Sequence, residues 1–308
     1  QKAIEIDPNY AKAHFNLGNA LHELTLQGLG SLDDPVLSYE MSISIDPNYA
    51  QAHNNLGNVL KDSGRLKEAE ISFQKALSIN TKYVEAHYSL GIVLFDLGKF
   101  EESKMSYLKA IEIDYNFAEA HNNLGNTYSE LDDPHHAIDS YQNAIEINPD
   151  FAEAFNNLGN SLKEIGKLGD AIKAYQKAIT ILPNSPTIYN NLGNAYKQMN
   201  NLNEAVISYT KGLKLINPES LDSLELLNNL GVVLNDLEKP DLAIKNLNKA
   251  IAIKPDYAEA FNNLGVAFNK LNKLGQAIEA YEKALKINPD YPEPYNNLTV
   301  IFRKQGKK

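Results

Sequence analysis

A Leu-Gly step recurs along almost the whole chain at a nearly constant interval, and this repeat constrains the fold more than any other feature of the sequence. The interval is 34 residues, except for one of 39 and one of 38. The glycines are Gly18, Gly57, Gly91, Gly125, Gly159, Gly193, Gly231 and Gly265, and Thr299 takes the next equivalent place. Such a period predicts an array in which each repeat packs on its neighbours, so length alone does not predict the number of domains.

Each repeat predicts two amphipathic helices. In the repeat 152–185, apolar and small residues follow the spacing of one helical face, first at Phe155, Leu158, Gly159 and Leu162, then at Ala171, Ile172, Tyr175, Ala178 and Ile179. We expect Gly159 and Ala171 to let the two helices approach closely, with Tyr175 filling the space beside them. Pro149 cannot continue a helix, so it separates this repeat from the preceding one.

These residues carry a family resemblance. Phe155, Leu158, Gly159, Leu162, Ala171, Tyr175, Ala178 and Pro183 lie at the offsets of the tetratricopeptide repeat (TPR) pattern. The chain resembles the TPR family over nearly its whole length. The resemblance implies an all-α fold, a right-handed superhelical solenoid whose first helices line the concave side.

The period predicts a single array of eight full repeats with a partial repeat at each end. The repeats are 11–49, 50–83, 84–117, 118–151, 152–185, 186–223, 224–257 and 258–291, flanked by 1–10 and 292–308. Both ends cut through a repeat, so we expect a segment of a longer protein or a trimmed form of one, with end-to-end self-association through the cut faces as one possibility. The two long intervals are insertions, one around 26–30 and one around 218–220, and the second predicts a local bend.

The charge balance excludes some classes of partner. With 39 acidic and 29 basic side chains, the net charge of -10 argues against non-specific nucleic-acid binding. No apolar stretch approaches the roughly 20 residues of a membrane span, and there is no cysteine. We therefore expect no nucleic-acid or membrane partner, no cofactor and no metal site. The cytoplasm is the expected location, although a cysteine-free chain suits any redox compartment.

Asparagine recurs in three rows along the predicted first helices. The first row is Asn16, Asn55, Asn123, Asn157, Asn191, Asn229, Asn263 and Asn297, with Ser89 as the exception. The second row is Asn54, Asn122, Asn156, Asn190, Asn228, Asn262 and Asn296. The third row is Asn19, Asn58, Asn126, Asn160 and Asn194. Asn157 and Asn160 share a helix face, so we predict that the first and third rows bind a peptide.

Two interpretations of the rows remain open. Each side-chain amide can donate and accept hydrogen bonds, so it can pair with the main chain of an extended peptide. Alternatively, a row joins neighbouring repeats and has no ligand. The sequence supports both interpretations for the first row and favours the structural one for the second.

The rows resemble the TPR arm of the O-linked N-acetylglucosamine transferases, in which such asparagines hold peptide substrates. We therefore predict a non-catalytic scaffold that binds an extended polypeptide in an asparagine-lined concave groove. The alternative is the substrate-recruiting arm of a larger transferase whose catalytic domain lies outside these residues. A carboxylate clamp is disfavoured, because Asn54, Asn122, Asn156 and Asn190 stand where it needs lysine.

Two other sets of residues invite a functional interpretation. Glu119, Glu153, Glu259 and Glu293 each follow an Asn or Asp by three residues, which is capping-box spacing. We favour helix capping for these glutamates over an acidic binding row. His14, His53, His87 and His121 occupy a bulky place that aromatic residues fill in other repeats, so we expect packing rather than metal binding.

Overall fold

The computed structural model describes residues 2–217 and 219–304, without the side chain of Lys304. Within these ranges all regular structure is helical, with eighteen α-helices, one short 3-10 helix and no strand. The all-α class is therefore confirmed. The chain divides into two compact units, Gln1–Asp150 and Phe151–Lys308, and nine α-helices lie in each.

The first unit is a series of helical pairs that follows a short helix. Its helices are α1 (Lys2–Ile6), α2 (Ala11–Leu26), α3 (Asp33–Ile45), α4 (Ala50–Asp62), α5 (Leu66–Ile79), α6 (Val84–Asp96), α7 (Phe100–Ile113), α8 (Ala118–Glu130) and α9 (Pro134–Ile147). Within one pair α4 packs on α5, and both contact α6 of the next pair. This is the stacking of two-helix repeats that the period predicts.

The second unit continues the same pattern. Its helices are α10 (Ala152–Glu164), α11 (Leu168–Ile181), α12 (Pro186–Gln198), α13 (Leu202–Leu213), α14 (Leu224–Asp236), α15 (Pro240–Ile253), α16 (Ala258–Lys270), α17 (Leu274–Ile287) and α18 (Pro292–Lys304). A 3-10 helix, Leu221–Ser223, precedes α14 in the region of the second insertion. Pro218 lies outside the described residues, and the bend expected there stays a prediction. The first insertion lengthens α2 to 16 residues, where α4 has 13.

The two helices of a repeat meet where a glycine faces a buried aromatic ring. A Cβ atom added to Gly159 would lie 2.5 Å from Cε1 of Tyr175, whose side chain is completely buried. Ala171 and Ala178 are also fully buried beside it. The expectation that small residues let the helices approach while Tyr175 fills the space is confirmed.

The turn inside a repeat uses a left-handed residue just after the first helix. Gly64, Gly98 and Gly166 have φ values of 75°, 73° and 78°. Asp132, Asn200, Glu238 and Asn272 take the same place in other repeats with φ between 54° and 60°. At a residue with positive φ, backbone N–H groups of the turn donate hydrogen bonds to the last carbonyl groups of the helix. The chain then reverses direction and enters the second helix.

The predicted capping boxes are wrong. Helices α8, α10 and α16 begin one residue later than the box requires, with Phe117, Phe151 and Tyr257 as N-caps and no side-chain cap. Phe117 packs instead on Tyr88 of the preceding helical pair, with ring centroids 4.5 Å apart. Glu119, Glu153 and Glu259 are therefore exposed residues of the first turn rather than capping partners.

Candidate functional site

The first and third asparagine rows lie on one stripe of the first helices, which we call the asparagine face. On α10 the stripe runs through Glu153, Asn157, Asn160 and Glu164, and these positions are separated by four, three and four residues. That spacing places all four side chains on the same side of a helix. The predicted binding residues thus share a face within each first helix that carries them.

In the second unit, the first row donates hydrogen bonds to the second row of the preceding repeat. The Nδ2 atoms of Asn191, Asn263 and Asn297 lie 3.0, 2.8 and 3.1 Å from Oδ1 of Asn156, Asn228 and Asn262 respectively. Asn229 donates to both Asn190 and Asn194. This geometry supports the interpretation that asparagines join neighbouring repeats. The hydrogen bonds also offset the low helix propensity of asparagine.

In the first unit, the row is less regular. Asn55 donates to Asn19 at 2.9 Å, and Asn123 donates to the hydroxyl of Tyr88 at 3.2 Å. Asn16 is exposed. The Oδ1 atom of Asn54 is buried without a hydrogen-bond partner in the part of the chain that the structure describes. Ser89 stands in the place from which a first-row asparagine would donate to it.

The third row receives hydrogen bonds from the second helix of its own repeat. The hydroxyls of Tyr39, Tyr141, Tyr175 and Tyr209 donate to Oδ1 of Asn19, Asn126, Asn160 and Asn194 at 2.7–2.8 Å. Asn58 stands opposite the place of Phe73, which has no hydroxyl. The oxygens of Asn19, Asn126, Asn160 and Asn194 are therefore already engaged by buried tyrosine hydroxyls.

Part of the hydrogen-bonding capacity of the first row is not used within the second unit. The Oδ1 atoms of Asn191, Asn263 and Asn297 accept no hydrogen bond from residues 151–217 and 219–304. All three side chains are partly exposed. An amide oxygen that is held in place by its own NH₂ group and open to solvent can accept a hydrogen bond from a ligand.

Acidic residues border the asparagine face at both ends of the helices. At the N-terminal ends they are Glu85, Glu119, Glu153, Glu225, Glu259 and Glu293, and at the C-terminal ends they are Glu23, Asp62, Asp96, Glu130, Glu164 and Asp236. All are exposed. Glu225 also accepts a hydrogen bond of 2.8 Å from Asn190. The second of these rows was not predicted from the sequence, although its spacing of four residues after the third row is visible there.

Repeat 84–117 departs from the pattern on this face. Tyr88, Ser89 and Ile92 replace the second-, first- and third-row asparagines. An open cleft of about 200 Å³ lies beside them, lined by Ile92, Phe95 and Asp96 of α6, Tyr107 of α7, and Asn123 and Asn126 of α8. This cleft was not predicted from the sequence. Its only signal there is the apolar Ile92, in a place that asparagine fills in the two neighbouring repeats.

Three of the four predicted packing histidines are buried. His87 is partly exposed, although its Nε2 also lies 3.0 Å from a carbonyl oxygen six residues earlier. His14, His53 and His121 are buried, and each ring Nε2 lies 2.9–3.0 Å from a carbonyl oxygen six residues earlier. Burial lowers the pKa of His53 and His121, which favours the neutral ring. The described ranges contain no group of three or more His, Asp or Glu side chains that could hold a metal ion. No described helix is both long and apolar enough to cross a membrane.

Family models match most of the chain. A model described as "TPR repeat" matches residues 1–24, 57–98, 93–132, 159–200 and 231–272. Models described as "Tetratricopeptide repeat" match 118–151 and 258–291, 38–71 and 140–173, and 186–218. No curated protein matches the chain.

Several solved structures are similar in fold. A chain of the APC/C hetero-tetramer Cut9–Hcn1 is 18% identical over 88% of this chain, with a TM-score of 0.61, and the match spans 52% of that chain. YrrB, a TPR protein with an unusual peptide-binding site, is 22% identical over 63% of this chain and 97% of its own, with a TM-score of 0.53. MamA is 30% identical over 54% of this chain and 91% of its own, with a TM-score of 0.51.

Proposed function

Because the chain belongs to the tetratricopeptide repeat family, whose model matches more than half of its residues, we propose that it is a non-catalytic protein-interaction scaffold. Its ligand is an extended polypeptide held against the asparagine face by the first-row amides. The third-row amides form additional contacts with the same polypeptide. The proposal concerns each unit by itself.

One observation carries this proposal. The oxygens of Asn191, Asn263 and Asn297 are partly exposed and accept no hydrogen bond from the described part of the second unit, while their amide nitrogens are anchored to the preceding repeat. Anchoring fixes the side chain before the ligand arrives, so little rotamer entropy is lost on binding. An acceptor repeated once per repeat suits a ligand with regularly spaced donors, and the main chain of an extended peptide has them.

The two interpretations of the first row are therefore compatible. An asparagine can use its NH₂ group to join two repeats and its oxygen to contact a ligand, because these groups form separate hydrogen bonds. The contact to the main chain recognises an extended conformation rather than particular side chains. A preference for particular side chains of the peptide then comes from the repeats in which other residues replace the asparagines of the face.

The test uses 15-residue peptides selected for binding from a random displayed library. We expect the combined substitution Asn191→Ala, Asn229→Ala and Asn263→Ala to weaken binding of the selected peptide at least about tenfold, measured by calorimetry. Each substitution also removes a bond between repeats, so helical content and melting temperature are measured in parallel. If the combined variant does not fold, the single variant Asn263→Ala is used for the binding measurement instead.

The matched control is Asn246→Ala with Asn248→Ala, two asparagines of α15 that lie outside the first helices. This control should bind the peptide as the unsubstituted chain does. Unchanged affinity in the folded first-row variant would contradict the proposal. So would a library from which no peptide is enriched.

A further inference from the structure

The cleft beside α6 interrupts the asparagine face with a different chemistry. Ile92 and Phe95 supply apolar walls, and both side chains are partly exposed. Asp96 carries a carboxylate at the exposed end of the helix. The remaining lining residues, Tyr107, Asn123 and Asn126, are polar at their tips. A ligand group that fills this cleft must therefore combine an apolar stem with a polar head.

One of the polar tips is the neutral hydroxyl of Tyr107. Burial raises the pKa of Tyr107, and the nearby Asp96 carboxylate adds to this increase, so the hydroxyl stays protonated. In other repeats a third-row asparagine accepts the hydrogen bond of the equivalent tyrosine, as Asn126 does for Tyr141. Ile92 cannot accept one. Among the lining residues, Asp96 is the only one with a carboxylate, and none is cationic.

The surroundings of the cleft favour a positive ligand group. Glu85 lies on the same stripe of α6 as Ser89, Ile92 and Asp96, at spacings of four, three and four residues. Glu119 and Glu130 border the stripe of α8 in the same way. Exposed carboxylates therefore lie on the same stripes of the two first helices that line the cleft, and these attract a cation while repelling an anion.

From this combination we infer that the cleft is a specificity pocket for an arginine side chain of the bound polypeptide. The methylene stem packs on Ile92, the planar guanidinium lies against the ring of Phe95, and its N–H groups pair with the Asp96 carboxylate. Arginine fits these walls because it stacks on aromatic rings and pairs with a carboxylate through two N–H groups. The inference rests on the proposed function, since that function brings a peptide onto this face.

The test isolates the pocket from the main-chain contacts. The probe is N-acetyl-arginine N-methylamide, compared with the citrulline analogue, which has nearly the same length without charge, and the norleucine analogue, which keeps an apolar stem without a polar head. Each is titrated into the whole chain labelled at isoleucine δ1 methyl groups. The variant Ile92→Val assigns the Ile92 methyl resonance.

We expect a saturable shift of the Ile92 signal with the arginine probe, and binding at least about threefold tighter than with citrulline or norleucine. Asp96→Asn should remove this preference. The matched control is Asp236→Asn, which is at the same place on α14, where Val232 and Asn235 stand in for Ile92 and Phe95. This control should keep the preference.

Three results would overturn the inference: no shift of the Ile92 methyl up to the solubility limit of the arginine probe, equal binding of the three probes, or a preference that survives Asp96→Asn. The three probes share the same two peptide groups and differ only in the side chain, so a preference among them reports on the side-chain pocket rather than on main-chain contacts. A chain that binds selected peptides but fails this test keeps its proposed function and loses only the arginine pocket.

Discussion

Ser89 leaves the buried oxygen of Asn54 without a donor among the described residues. The equivalent oxygens of Asn156 and Asn262 each accept a hydrogen bond from an asparagine of the next repeat. Serine is shorter than asparagine and carries no NH₂ group. Because an unsatisfied buried acceptor costs about 1–3 kcal/mol, this position lowers the stability of the first unit.

Replacing Ser89 by asparagine should therefore stabilise the chain. The expected gain is about 1 kcal/mol, because the new NH₂ group supplies the missing donor to Asn54. Urea unfolding followed by circular dichroism measures it as a higher midpoint. In a chain that also carries Asn54→Ala the gain should vanish, and a gain that persists there would show that the hydrogen bond is not its cause.

At the scale of helices and turns, the sequence predicted packing better than helix starts. The Gly159–Tyr175 contact followed from residue size and spacing alone, because only a small residue fits against a ring at the helix crossing. The start of α10 did not follow, because Asp150 and Glu153 have capping-box spacing while Phe151 occupies the N-cap. Helix starts depend on tertiary contacts as well as on local spacing, as the stacking of the equivalent Phe117 on Tyr88 shows.

The turns inside repeats give a paired prediction. Gly64→Ala should destabilise the chain by about 1–2 kcal/mol, because its φ of 75° is unfavourable for a residue with a Cβ atom. Gly169→Ala should instead stabilise it by about 0.5 kcal/mol, because Gly169 lies in α11 with open space around it. Both effects are read from the urea midpoint. Shifts in the same direction would contradict the role assigned to the turn.

The candidate site was also predictable in part. The positions of the asparagine rows followed from the repeat, since equivalent residues occupy equivalent places. Their partners did not follow, because the bond from Asn191 to Asn156 joins residues 35 apart in the chain. The cleft beside Ile92 was missed for a related reason: it depends on residues of α6, α7 and α8 together.

At the scale of the whole molecule, two sets of residues with different roles lie on the same helices. Glycine and aromatic residues build the stack. Asparagines connect repeats, and in the second unit the oxygens of Asn191, Asn263 and Asn297 stay available to a ligand. The acidic residues that border this face agree in sign with the net charge of -10. In this account, affinity comes from main-chain contacts repeated along the array, and specificity comes from places such as the α6 cleft where the repeat changes.

The central claim is that the first-row oxygens hold the main chain of an extended peptide. The most direct test compares one selected peptide with two analogues, each N-methylated at one of the two alternating sets of residues. Methylation removes main-chain donors and keeps every side chain, and successive N–H groups of an extended chain point in opposite directions.

Calorimetry measures the three affinities. The account predicts that one analogue binds at least about tenfold more weakly, because it lacks the donors that face the asparagines, while the other changes less than about threefold. Three equal affinities would contradict the claim.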